Sequence, residues 1–119
     1  MIVAGFGFRS EVTLAALQDA LALAGGAEGV THLATLAAKA EGLAGLAAAL
    51  GLPVMRLAAE ELRGQAVVTR SERVEALFGV GSVAEAVALA AAGPGAQLRG
   101  PRAVSSDGTA TAAIAEGLT

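Results

Sequence analysis

The 119-residue chain has no cysteine, no tryptophan and no tyrosine, and it carries only three phenylalanines, one histidine and one lysine. Without cysteine there are no disulfides, no thiolate metal sites and no cysteine nucleophile. His32 alone cannot make a histidine-cluster metal site, so neither a metal nor a cofactor is expected. Eight Lys and Arg stand against eleven Asp and Glu, a net charge of −3. No basic stripe interleaves with aromatics, which argues against nucleic acid as a partner. Long apolar runs are missing too. The longest uncharged stretch, Gly42 to Met55, is too short to span a bilayer and contains Gly45, Gly51 and Pro53. No cationic leader opens the chain. Met1 runs straight into a strand-like segment, and a cytoplasmic location without membrane contact is expected.

What the chain does have is small apolar residues. Hydrophobic residues make up 55% of the sequence and mean hydropathy is +0.64. The excess is mostly alanine, which suits helices packed closely on a sheet. The length predicts one domain over 1–119 with one core. Strand candidates are Met1 to Phe6, Thr31 to Ala37, Val54 to Leu57, Ala96 to Arg99 and Thr111 to Ala115. Between them, helices are predicted from Ser10 to about Ala24, Glu41 to Leu50, a Thr69–Glu72 capping box to about Phe78, and Ser82 to Ala92; Ala59 to Leu62 reads as a short helical turn. Alternating strands and helices imply right-handed crossovers and a parallel sheet. The last two strands lack a helix between them, so one should run antiparallel. The expected fold is therefore α/β, a three-layer α/β/α domain with a small mixed, mostly parallel sheet.

Two glycine turns point to an anion. Gly79-Val80-Gly81-Ser82 precedes a helix whose Ser82 and Glu85 have capping-box spacing, and a helix start presents free N–H groups with the positive end of the dipole. Gly5-Phe6-Gly7-Phe8-Arg9-Ser10 offers the same geometry after the first strand candidate. Its Gly5-x-Gly7-x-x-Ser10 spacing approaches a dinucleotide fingerprint. However, the third small position is Ser10, and no acidic residue ends the second strand. Arg9 is a candidate carboxylate clamp by its planar fork of donors, or else a solvated loop residue. Lys39 follows the second strand, where open α/β sheets bind ligands. Glu41, two residues on, either answers a helix dipole or joins Lys39 as an acid/base couple. Arg99 and Arg102 flank Pro101 within reach of an anion, or else solvate an edge. Nothing forms a triad, a paired-carboxylate site or a metal cage.

In order along the chain, Val3-Ala4-Gly5-Phe6-Gly7-Phe8-Arg9, Thr35 to Leu43 with its Lys39-Ala40-Glu41, Leu52-Pro53-Val54, Ala59-Glu60-Glu61-Leu62, Gly79 to Ala86 and Thr109 to Ala115 resemble the CobE proteins and the C-terminal domain of CbiG, from cobalamin (vitamin B12) biosynthesis. The resemblance implies a protein that binds a precorrin or corrinoid intermediate and carries it among pathway enzymes. Gly5, Gly7, Arg9, Lys39, Gly79, Gly81, Ser82 and Arg102 would serve as ligand-binding residues. It equally admits a CbiG-like hydrolase that opens a precorrin δ-lactone and releases acetaldehyde, with Lys39 and Glu41 as the catalytic pair. A third reading is an interaction module that pairs with pathway enzymes through alanine-rich helices; a homo-oligomer stays open. Two departures stand out. Ala37 and Ala38 occupy positions where the family often has Asp, and Arg102 replaces a Lys.

Overall fold

β1 (Ile2–Phe8) alternates its side chains between two buried layers, which makes it a central strand rather than an edge. In the computed structural model, which describes residues 1–118, the sheet order is β3-β2-β1-β6-β4. The remaining strands are β2 (His32–Leu36), β3 (Val54–Leu57), β4 (Gln97–Leu98), β5 (Ala103–Val104) and β6 (Ala110–Glu116). β1, β2 and β3 pair in parallel, while β6 lies antiparallel to β1 along its whole length, from Ile2–Glu116 to Phe8–Ala110. β4 and β5 both pair antiparallel with β6, on its other side. β6 thus runs against all five other strands, and the sheet is mixed as expected. β5 was not anticipated: its two residues lie inside a segment rich in turn formers and are strand only because β6 supplies a partner.

Helix α1 (Leu14–Ala24) and helix α2 (Ala44–Leu50) cover one face, where Leu17, Leu21, Leu43 and Leu46 pack on Ala4, Phe6, Leu33 and Ile114. Helix α4 (Val83–Ala92) covers the other, with Ala86, Val87 and Ala91 over Val3 and Ala34. Helix α3 (Glu72–Phe78) lies outside these layers and buries none of its residues. No single helix among the described residues is long and apolar enough to cross a membrane.

Several caps differ from expectation. α1 begins at Thr13, whose hydroxyl accepts from the Ala16 N–H at 3.1 Å, while Ser10 donates to Glu11 in the loop before it. α3 is capped by Ser71, not Thr69. Residues 37–43 form 3-10 turns, so α2 starts only at Ala44. Gly51 ends α2 in the left-handed conformation, and Ser82 caps α4 as expected.

Gly5 and Gly7 lie inside β1, not in a turn after it. This removes the first of the two anticipated anion-ready helix starts. Gly5 is glycine because α4 crosses against it. A Cβ there would fall 2.7 Å from the Ala88 nitrogen and 2.8 Å from its Cβ. Alanines on α4 and glycine on β1 let the helix backbone reach the sheet. Gly5→Ala is therefore expected to destabilise the protein by about 1–3 kcal/mol through overpacking. Gly7→Ala should cost less, since its new Cβ meets the Thr111 hydroxyl at 3.0 Å and Val83 only at 3.6 Å. Urea unfolding of the two variants checks the order; a milder loss for Gly5→Ala would contradict this account of the packing.

Candidate functional site

Between Leu98–Ala115 and Ala103–Ala112 the ladder leaves Arg99 to Arg102 opposite only Ala113 and Ile114, so the edge strand bulges. The bulge points the Arg102 N–H at Glu85, in the first turn of α4. Glu85 is fully buried, and its carboxylate accepts four hydrogen bonds. Oε1 takes the Val68 N–H at 2.8 Å and the Thr69 N–H at 2.9 Å; Oε2 takes the Thr69 hydroxyl at 2.5 Å and the Arg102 N–H at 2.7 Å. Burial pushes the Glu85 carboxyl up, but the donors from Thr69, Arg102 and Val68 outweigh it and hold it below its ordinary value. The capping box read from Ser82 and Glu85 is therefore only half present. Ser82 accepts from the Glu85 N–H at 3.3 Å, while the Glu85 side chain serves the loop and the bulge instead.

This knot frames a cleft at the carboxyl ends of β1 and β2. One part, of about 340 Å³, is lined by Arg9, Arg73, Arg102, Val104 and Thr109. A contiguous part, of about 280 Å³, is lined by Phe8, Leu36, Lys39, Phe78 and Val83. A recess of about 350 Å³ beside Phe8 holds Lys39, Glu41 and Gly42. Gly42 is small for a reason: a Cβ there would lie 2.8 Å from the Phe8 ring tip. Lys39 leans across that ring, with Nζ donating to the Phe8 carbonyl at 3.3 Å and lying 5.8 Å from the ring centroid. The far wall is a hairpin turn ordered by Asp107, which accepts from the Ser105 hydroxyl and from the N–H and hydroxyl of Thr109. These donors, Ser105 foremost, hold the Asp107 carboxyl below its usual value. Asp19 on α1 accepts from the Ser106 N–H at 2.6 Å and ties the turn down.

Of the residues singled out in the sequence, Gly7, Arg9, Lys39 and Arg102 line this cleft, and Glu41 lines the recess beside it. The others sit elsewhere. Gly5 lies under α4. Gly79 ends α3 with φ +76°, and Gly81 and Ser82 are buried beneath residues 69–71, with the Gly81 carbonyl accepting from the Ser71 N–H. The α4 start is thus covered by its own chain. Arg99 is not at the cleft but paired with Glu116, its Nε 2.7 Å from the carboxylate. His32 sits at the opposite end of β2, hydrogen-bonded to Thr31. Lys39 and Glu41 share the recess without a hydrogen bond between them. Arg73 was missed: it lies in a short polar helix whose position over the cleft no local pattern reveals. Among the described residues no group of three acidic, histidine or cysteine side chains is placed to hold a metal. A larger hollow of about 480 Å³, between residues 61–66 and the end of α4, contains Glu61 and none of these cations.

The fold and cleft define a small α/β domain with a basic, partly apolar opening at the carboxyl ends of its parallel strands. The family described as "Cobalamin synthesis G C-terminus" matches residues 2–115, and the chain belongs to it. Among solved structures it resembles CobE, "a protein from the cobalamin (vitamin B12) biosynthetic pathway", with 32% identity, TM-score 0.81, and coverage of all of this chain and 92% of that one. It also resembles cobalamin biosynthesis protein chiG from Agrobacterium tumefaciens, with 39% identity, TM-score 0.71 and full coverage of both chains. A cobalamin biosynthesis protein G homolog from Sulfolobus solfataricus shares the fold at 20% identity and TM-score 0.73, over 96% of this chain and 36% of its own. No curated protein matches the chain. Its place is in cobalamin biosynthesis.

Because the Glu85 carboxyl titrates lower folded than unfolded, its contribution to stability is complete above its ordinary value of 4.5 and is lost as pH falls through the lowered folded value. Acid unfolding should therefore steepen below about pH 4.5 in the native protein, and less so in Glu85→Gln. At neutral pH Glu85→Gln should lose about 1–3 kcal/mol, since an amide cannot satisfy the same four donors. Urea midpoints measured across pH for both proteins provide the check. Parallel pH profiles would show that Glu85 is not the titrating group.

Proposed function

We propose that the chain binds a precorrin or corrinoid intermediate of cobalamin biosynthesis in the cleft at the ends of β1 and β2, acting over its length as one CobE/CbiG C-terminal-like domain. Thr119, the last residue of that span, lies outside the described residues. The observation that carries the reading is the convergence of Arg9, Arg102 and Lys39 on an opening that also presents Phe8, Leu36 and Val83. Such ligands combine carboxylate side chains with an apolar macrocycle, and the cleft offers both chemistries side by side. Guanidinium forks suit carboxylates, and the apolar wall removes ring surface from water. Membership of the family and the likeness to CobE support the pathway in which such ligands occur.

A holding role, delivering the intermediate to other enzymes of the pathway, fits the side chains better than hydrolysis. Lys39 and Glu41 are exposed in the recess beside Phe8 and make no hydrogen bond to one another. A hydrolase would need one of them set against a reacting atom at about 3 Å, which ligand binding would have to arrange.

Titrating the purified chain with hydrogenobyrinic acid and following visible absorbance tests the proposal. Saturable binding is expected, with Lys39→Ala and Arg9→Ala each weakening it about tenfold, or 1.4 kcal/mol, while thermal midpoints stay unchanged. Affinity should fall as salt is raised, because the cations are open to solvent. Absence of binding to any carboxylated corrinoid would overturn the reading.

A further inference from the structure

We propose that Arg73, with Arg9 and Arg102, forms a subsite for a cluster of carboxylates, and that the adjoining chamber takes the apolar body to which those carboxylates are attached. This rests on the reading that the cleft is a ligand site. The three arginines come from distant parts of the chain: the end of β1, the second residue of α3, and the bulge between β4 and β5. All three line the same 340 Å³ compartment, and no acidic side chain lines it. None of the three guanidiniums makes a hydrogen bond or ion pair with any described residue; the ion pairs Arg70–Glu75 and Arg99–Glu116 lie elsewhere. A chain of net charge −3 therefore gathers three uncompensated positive charges in one compartment. Like charges held together repel, and an anion that binds there removes that repulsion. One carboxylate occupies one fork. Three forks call for several carboxylates on one molecule.

The second compartment sets the other half of the ligand. Its apolar wall is Phe8, Leu36, Leu77, Phe78 and Val83; Thr35 and Lys39 also line it, and no acidic group enters it. Gly7, Phe8, Arg9, Arg73 and Val83 border both compartments, so Arg73 stands at the junction between them. Leu77, one helical turn beyond Arg73, is 67% exposed. A large aliphatic side chain left open beside an arginine fits a ligand that is apolar on one side and anionic on the other. The placement of Arg73 is built in from behind. Glu85 accepts from Thr69, which leads into α3, and from the Arg102 N–H. One buried carboxylate thereby anchors the main chain on both sides of the opening.

The shared chemistry is a polycarboxylate, whether a small free acid or the side chains of a tetrapyrrole. Calorimetric titration of the full chain at low salt with tricarballylate, with acetate as the monocarboxylate control, tests the subsite directly. Tricarballylate is expected to bind at one site per chain and much more tightly than acetate. Arg73→Ala and Arg102→Ala should each weaken it about tenfold, Arg73→Glu should abolish it, and Arg56→Ala, outside the cleft, should leave it unchanged. No binding of tricarballylate, or equal affinity in Arg73→Ala, overturns the proposal. The same variants titrated with hydrogenobyrinic acid separate the two claims. Tricarballylate binding without hydrogenobyrinic acid binding upholds the subsite and removes the corrinoid reading. Hydrogenobyrinic acid binding indifferent to Arg73→Ala upholds that reading and removes the subsite.

Discussion

A single buried carboxylate fixes the relation between the helical layer and the edge of the sheet. Glu85 leaves the first turn of α4 and accepts donors from Val68, Thr69 and Arg102, segments far from one another in the sequence. A buried charge with no cation beside it is normally costly. Here the cost is offset because every donor but one is a main-chain N–H that itself needs an acceptor. The loop before α3 and the bulge in the edge strand have no sheet partner for those groups. Glu85 accepts three hydrogen bonds from the loop and one from the bulge, and so lets both remain irregular. That irregularity is what brings Arg73 and Arg102 to the cleft.

The second constraint is the closeness of α4 to β1. Gly5 on the strand and Ala84 and Ala88 on the helix leave no side chain between the two backbones. The alanine content of the chain is thus a matter of distance as well as hydrophobicity. Short side chains bring the layers together; the larger ones, such as Phe6, Leu17, Leu33 and Ile114, fill the opposite face. The thin layer also brings the start of α4 to the mouth of the cleft, where Val83 forms part of its wall.

Charge is distributed unevenly around this frame. The chain is acidic in sum, yet Arg9, Arg73, Arg102 and Lys39 gather at one end of the sheet. Long-range steering of an anion is weak for a molecule of that net charge. The binding proposed for this cleft therefore rests on short-range contacts: forks, distances and an apolar wall.

The sequence by itself determined most of the elements. β-branched and apolar runs bounded by glycine mark β1, β2, β3 and β6, and Ser82 marks the start of α4 correctly, because these signals act within a few residues. It also carried the family, whose segments recur in order along the chain, and it singled out Arg9, Lys39 and Arg102. Only the tertiary structure decided what Gly5, Gly81 and Glu85 are for. Gly5 and Gly81 look like loop glycines, yet they are small because α4 and residues 69–70 press on them from far along the chain. Glu85 has the spacing of a capping box, but four donors from two distant segments outcompete the one N–H that local geometry offers. Arg73 and β5 were invisible for the same reason. Neither has a local pattern, and each takes its place from a partner that folding alone brings near.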